Sequence, residues 1–260
     1  MANIDYRQQP LEAAKESVRN WLDETALVTK FFILLSIAGS FLSLTSVIGI
    51  DLVQIFANIP YKAIIGLQIH RLIFSWALPS SFFGGLFQAL SLFTVLQKIE
   101  QKRGSVYLLV QILVLNFISQ VALNIAKVLF AVFCLFFGLF VQVISVQTSV
   151  GMWVLFFNVL PIVLKEPFQE RGVPFFLVKI PPVVYPFVLC VFFQFFGFNL
   201  DIVFGAVVGH LASYKYRYLE LSSSQLKYLE KIWIVRVLRT RAKGFAVSDI
   251  SEYDGLPVLF

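Results

Sequence analysis

The stretch "KIEQKRGS", Lys98 to Ser105, interrupts a chain that is otherwise apolar over long distances. Three basic residues and one acid stand between an apolar run from about Leu72 to Gln97 and another from Val106 to about Ala126. Each run reaches the roughly 20 residues needed to cross the hydrocarbon of a bilayer. The stretch therefore reads as a charged turn between two membrane-spanning helices. Composition points the same way. Of 260 residues, 58% are hydrophobic, 29 are Phe and the mean hydropathy is +0.82. Only 14% are charged, against roughly 25% in soluble domains. A soluble globule cannot hide that much apolar surface, and the expected class is an all-α polytopic membrane protein.

Outward from this turn, "FFILLSIAGSFLSLTSVIGI" (31–50) is a first span. The second contains Pro79 and the pair Gly84-Gly85, and the third ends before Lys127. The apolar stretch between Lys127 and Lys165 is too long for one span and short for two complete ones. It divides into a membrane-associated return over 128–146 and a fourth span over 149–164. Span five covers 183–198, and span six runs from 202 to about 219. With the N-terminus, the 98–105 turn, the 165–182 loop and the C-terminal part on one side, that side holds 18 of the 21 Lys and Arg. Lys62, Arg71 and Lys127 remain on the other. This bias predicts six spans with both termini cytoplasmic, or on the matrix side of an organelle. The net charge of +6 orients the chain in the membrane and calls for no nucleic acid, because the basic residues are not interleaved with aromatic platforms.

Three regions follow: an interfacial N-terminal segment (1–29), a six-span membrane domain (30–220) and a basic amphipathic helix with its tail (221–260). In the first, Pro10 to Trp21 is helix-prone. In the last, Ser223 or Ser224 caps a helix with Leu226, Leu229, Ile232 and Val235 at helical spacing. Lys227, Lys231, Arg239, Arg241 and Lys243 suit contact with an anionic leaflet or docking to a partner protein. "DISEYDGLPVLF" (249–260) reads as a mobile tail. No cleavable signal, myristoylation glycine or prenylation cysteine is evident.

Metal, phosphate and cofactor sites are not expected: there are two His, no H-E-x-x-H or C-x-x-C spacing and no Gly-rich phosphate loop. Cys134 and Cys190 lie inside apolar runs and read as small hydrophobic side chains. What remains are polar residues at membrane depth. Ser149 heads span four in "VQTSVGMW", and His210 lies within span six in "FGAVVGHLASY". On two packed helices they would make a nucleophile and general base, or they are packing residues. Gly205 and Gly209 form G-x-x-x-G, which allows a neighbouring helix to approach closely.

The order of these features resembles the rhomboid superfamily. "LQIHRLIFSW" (67–76) followed after a span by "KIEQKRGSVYLL" (98–109) is similar to that family's Trp-Arg pair and its Glu-x-x-x-Gly-Ser turn, here His70-Arg71 and Glu100 to Gly104-Ser105. The resemblance continues with Ser149, a basic loop, "IPPVVYPFV" (180–188) and Gly209-His210, and covers about residues 30–220. It implies a six-helix rhomboid-like core. Active members are intramembrane serine proteases whose dyad positions Ser149 and His210 would occupy. The family's Gly-x-Ser-Gly motif reads Gln147-Thr148-Ser149-Val150, and its span-two His-x-x-x-Asn reads Gly84 to Gln88. These departures resemble the catalytically degenerate branch, the Derlins and UBA-domain rhomboid-like proteins of endoplasmic-reticulum quality control. The resemblance thus implies a pseudoprotease that binds transmembrane helices of clients or partners. In that reading Ser149, His210, Gln88, Gly84 and Gln147 form a vestigial pocket. His70, Arg71, Glu100, Gly104, Gly205 and Gly209 are structural, with Arg71 pinning the first loop to the bilayer surface. The alternatives are an active intramembrane serine protease and a structural subunit of a larger membrane complex.

Overall fold

The computed structural model describes residues 8–45, 55–77, 79, 81–137, 149–164, 171–172, 179–194, 201–215, 223–232, 235 and 244–246. Their elements in chain order are α1 (Gln8–Glu24), α2 (Leu27–Ser43), the short α3 (Pro60–Ile64) and α4 (His70–Phe74), α5 (Phe82–Arg103) and α6 (Ser105–Phe136). Then come α7 (Trp153–Leu164), β1 (Arg171–Gly172), β2 (Lys179–Ile180), α8 (Tyr185–Gln194), α9 (Asp201–His210) and α10 (Ser223–Glu230). The chain is mostly helical. Within the basic 165–182 loop, β1 and β2 form a small antiparallel pair that the helical reading does not anticipate.

Two helices, α5 and α6, are long and apolar enough to cross a membrane, and α2, α7 and α9 are shorter apolar helices. At 1.5 Å per residue, the 22 residues of α5 and the 32 of α6 measure about 33 and 48 Å. The charged stretch between them is not a loop. Lys98 to Arg103 complete α5, and the chain reverses at Gly104 alone, whose φ of +88° is open to glycine without steric cost.

The helix bounds differ from the expected spans for identifiable reasons. α2 begins at Leu27, four residues before the apolar run, because its amides find a cap described below. The second run is not one helix. Residues 70–74 form α4, a turn follows, and α5 starts only at Phe82, past Pro79, where the Ser81 hydroxyl accepts from the Gly84 amide. A break at Lys127 is not observed: α6 runs through it to Phe136, since Ala126-Lys127-Val128 holds no helix breaker and Lys127 finds a buried partner. The proposed return over 128–146 therefore begins as helix, and its residues 138–146 lie outside the described residues. The sixth apolar segment is α9, continued by a π-helical turn over Leu211–Lys215.

At the centre stands α7, all twelve of whose residues are buried. It packs most closely against α9. A Cβ at Gly205 would come within 2.6 Å of the Val154 carbonyl oxygen, and one at Gly209 would collide with that of Asn158. The G-x-x-x-G face thus lets two backbones touch. α2 and α5 cross in a similar way: the Ser36 hydroxyl donates to the Gly85 carbonyl at 2.9 Å, and the Ser40 hydroxyl fills the space a Gly85 side chain would need. Phe32 and Trp76 meet above this crossing at 5.0 Å between ring centroids.

The C-terminal region is part of this fold. Leu226 of α10 is fully buried in the main core, and Leu229, Val235 and Phe245 pack against it. Among the described residues of the basic helix expected to lie on a leaflet, Leu226 and Leu229 therefore turn towards the protein, while Lys227, Tyr228, Lys231 and Ile232 are exposed. Residues 249–260, read as a mobile tail, lie outside the described residues.

Candidate functional site

Two buried polar clusters stand out, one at each end of the α5–α6 pair. The first is built on Glu100, which is wholly buried. Its carboxylate accepts from the amides of Val28 at 2.8 Å and Thr29 at 2.7 Å, and from the Ser105 hydroxyl at 2.5 Å. Ala26 offers α2 no side-chain cap, so Glu100, on another helix, supplies the negative charge that the exposed amides of a helix N-terminus attract. The next free amide, Leu27, donates to the Gly244 carbonyl at 2.8 Å. The Ser105 amide donates to the Ala246 carbonyl, and the Ala246 amide donates back to the Ser105 hydroxyl, both at 2.9 Å. Glu100 and Ser105 thereby tie four segments together: α2, the end of α5, the start of α6 and residues 244–246. The Glu100 carboxylate is met by three donors here, and the cluster is structural.

The second cluster lines α6. Asn116, Ser119, Gln120, Asn124 and Lys127 recur at helical spacing and are all buried. The Asn58 side chain joins two of them: its Nδ2 donates to Gln120 Oε1 at 2.6 Å, and its Oδ1 accepts from Asn124 at 3.0 Å. Ser119 donates to Asn158 Oδ1 on α7 at 2.7 Å. One turn beyond Asn124, Lys127 lies 3.3 Å from Asp201, the first residue of α9. Amides make this cluster nearly neutral, with an ion pair at its edge. It still has unused capacity: among the described residues Asn116 Oδ1, Asn124 Oδ1, Asn158 Nδ2 and Ser149 Oγ are buried without a hydrogen-bond partner.

Ser149 belongs to this second cluster. Its backbone pairs with Asn58 in both directions at 2.9 Å. The turn it opens is held from two further sides. The Gly151 amide donates to the Ser75 carbonyl at 3.0 Å, and the Met152 amide to Gln88 Oε1 at 3.2 Å. Gly151 has a φ of +87°, and a side chain there would press on the Gln88 amide. Gln88 therefore does meet the Ser149 turn. Among the described residues the Ser149 hydroxyl has no hydrogen-bond partner and donates to no base. His210 lies half-buried on α9 with its ring edge-on to Phe187 at 5.4 Å. A serine hydroxyl without a base to take its proton is a weak nucleophile. Gly84 sits in the first turn of α5, against Ser81; the glycine at the helix crossing is its neighbour Gly85. Gln147 lies outside the described residues.

Arg71 is buried. Its Nη1 donates to the Ala57 carbonyl at 2.8 Å and its Nε to Gln68 Oε1, fastening the segment that carries Asn58 to α4. Burial pulls its pKa below the usual guanidinium value. His70 beside it is exposed. Arg71→Ala is expected to lower the amount of folded protein recovered from membranes more than His210→Ala does. It removes a buried charge-assisted hydrogen bond worth about 1.5–3 kcal/mol, whereas His210 is only half-buried. Equal recovery of the two variants would contradict this.

The sequence reading passed over Asn58, Asn116, Ser119, Gln120, Asn124, Asn158 and Asp201. The signal for the four on α6 is present in "NFISQVALNIAK" (116–127), where polar residues return every three or four positions inside an apolar run. Among the described residues no group of His, Cys, Asp and Glu is placed to hold a metal ion. Compared with family models, curated proteins and solved structures, the chain matches none.

Proposed function

We propose that this chain is a multi-pass membrane protein with a six-span, rhomboid-like core that no longer cleaves peptide bonds and instead binds or positions transmembrane segments of other proteins. Membrane-protein quality control in the endoplasmic reticulum is the setting in which that activity fits, with both termini on the cytoplasmic side. One observation carries the reading. Just before the central helix, where a nucleophile would act, the backbone of Ser149 pairs with Asn58 of the carboxamide cluster, and among the described residues its buried hydroxyl has no hydrogen-bond partner. Buried amides with unused donors and acceptors do no covalent chemistry, but in hydrocarbon they attract polar groups that a client helix cannot otherwise satisfy. The charge distribution, 18 of 21 basic residues on one side of the expected spans, supports the topology.

A fluorophosphonate probe applied to the purified chain in micelles is expected to leave Ser149 unlabelled, at the level of Ser149→Ala. Labelling that the alanine removes would establish a working protease. A second reading, a structural subunit of a larger complex, draws on the last turns of α6, where Leu129 is 64% and Phe136 86% exposed. Purification of the tagged chain separates the two: varied client proteins and degradation factors in small amounts support binding, and a fixed stoichiometric set of partners supports the subunit.

A further inference from the structure

Four polar atoms are left over around the middle of α6: Oδ1 of Asn116 and of Asn124, Nδ2 of Asn158 and the hydroxyl of Ser75. None has a hydrogen-bond partner among the described residues, and each of the four residues is at most 2% exposed. Asn116, Asn124 and Asn158 stand well inside helices that are described from end to end. All four belong to one place. Asn116, Ser119, Gln120 and Asn124 follow one another along the buried side of α6 within about two turns. Asn158 joins them through the Ser119 hydroxyl at 2.7 Å. On another side, Asn116 Nδ2 donates to the Leu72 carbonyl at 3.5 Å, and Ser75 follows one turn later on the same segment. The Ser75 carbonyl in turn accepts from the Gly151 amide, two residues from Ser149.

Rotation of these side chains does not remove the problem. Each carboxamide already uses its other end: Asn116 on Leu72, Asn124 on Asn58 and Asn158 on Ser119. Turning one over exchanges one unmet atom for another. A dry polar atom of this kind forfeits as much as a lost hydrogen bond, and a folded protein is held by too small a margin to carry several side by side. The missing partner has to donate to Asn116 and Asn124 and accept from Asn158 in the same region. A cation meets only the first need, and Lys127, one turn beyond Asn124, repels it. An anion meets only the second. A larger organic molecule finds no opening, because every one of these residues is buried. Water both donates and accepts, and a buried water typically makes about three hydrogen bonds to polar groups that lack them. We infer that this cluster is a binding site for ordered water in the interior of the bundle, with the carboxamides of Asn116, Asn124 and Asn158 and the hydroxyl of Ser75 as its ligands. The inference goes beyond the proposed function and does not depend on it.

The test uses the full chain in lipid nanodiscs, labelled with nitrogen-15 on a deuterated background. The chain has only seven Asn, so their side-chain amide signals are few, and each is assigned by its loss in the matching Asn→Ser variant. Magnetisation transferred from water is expected to reach the side-chain amides of Asn116, Asn124 and Asn158. It should not reach the backbone amides of Leu155 and Leu160, which are buried to the same degree. A second measurement separates a wet hydroxyl from a dry one. Deleting a hydroxyl that holds water lowers stability, whereas deleting a dry, unpaired one raises it. Ser75→Ala is therefore expected to lower the midpoint of thermal unfolding by about 2–4 °C, the scale of one hydrogen bond in a chain of this size. A water signal missing at any of the three carboxamides, or a midpoint that stays or rises in Ser75→Ala, overturns the inference and leaves the proposed function untouched. Fluorophosphonate labelling of Ser149 does the reverse: it overturns that function and leaves the water site standing.

Discussion

Glu100→Ala is expected to unfold the end of the bundle where α5 meets α6, with a loss of about 3–5 kcal/mol, the range for stripping a hydrogen-bonded charge from a buried network. The size follows from what the carboxylate holds. Without it, the Val28 and Thr29 amides have no acceptor in a place closed to water, and α2 loses the charge at its N-terminus. Ser105 loses the oxygen that orients its hydroxyl, and that hydroxyl is also the acceptor for Ala246. The damage therefore passes from α2 to the C-terminal segment, although 146 residues separate Glu100 from Ala246 in the chain. Glu100→Gln should cost less, since one oxygen remains to accept. Lys98→Ala, on an exposed face of the same helix, should fall within about 0.5 kcal/mol of the parent. Thermal unfolding in micelles gives the order. A Glu100→Ala variant as stable as Lys98→Ala would show that the helix is capped by other means. Gly244→Val tests the far end of the same network: the position has a φ of +83°, and a Cβ there would lie 2.7 Å from the Thr25 carbonyl.

How far this arrangement can be read from residues alone differs sharply between its parts. Long apolar runs declare themselves, because a helix in hydrocarbon needs about 20 apolar residues and little else can supply them. α5 and α6 are therefore legible, as are the turn at Gly104 and the close approach at Gly205 and Gly209. Helix ends are not, because they are decided by distant groups. Nothing near Leu27 announces that Glu100 will cap it, and nothing in Ala126-Lys127-Val128 says that a lysine will stay inside a helix by pairing with Asp201. The carboxamide cluster is hard to read from the sequence for a related reason. Ser149 and His210 draw the eye as the hydroxyl and imidazole of a possible dyad, whereas the carboxamides of Asn58, Gln120 and Asn124 look like ordinary helix or loop residues until the fold brings them together. Their i, i+4 spacing on α6 was the one local clue, and it tells which face is polar without telling what that face meets.

Gly209→Leu is expected to be the most damaging single change along the central helix. α7 has no lipid-facing side to retreat to, since every one of its residues is buried. At Gly209 the added Cβ alone would overlap the Asn158 carbonyl, and backbone, unlike the end of a flexible side chain, cannot rotate away. The helices must part, which costs the dispersion contacts along their whole interface, and an overpacked core typically loses about 1–3 kcal/mol, occasionally more. The same movement carries Asn158 off the Ser119 hydroxyl that it accepts from at 2.7 Å, so loss of stability and loss of the polar cluster should appear together. Gly205→Ala, where the Val154 carbonyl oxygen would stand 2.6 Å from the new Cβ, should be the milder member of the pair. Gly84→Ala should cost least, because its Cβ would meet only the Ser81 side chain, which can turn away from it at the expense of the cap it gives the Gly84 amide. Midpoints of thermal unfolding for the three variants are expected in the order Gly84→Ala, Gly205→Ala, Gly209→Leu, from highest to lowest. A Gly209→Leu protein that unfolds with the parent would mean that α7 and α9 do not pack backbone to backbone, and that the polar cluster is held by α6 alone.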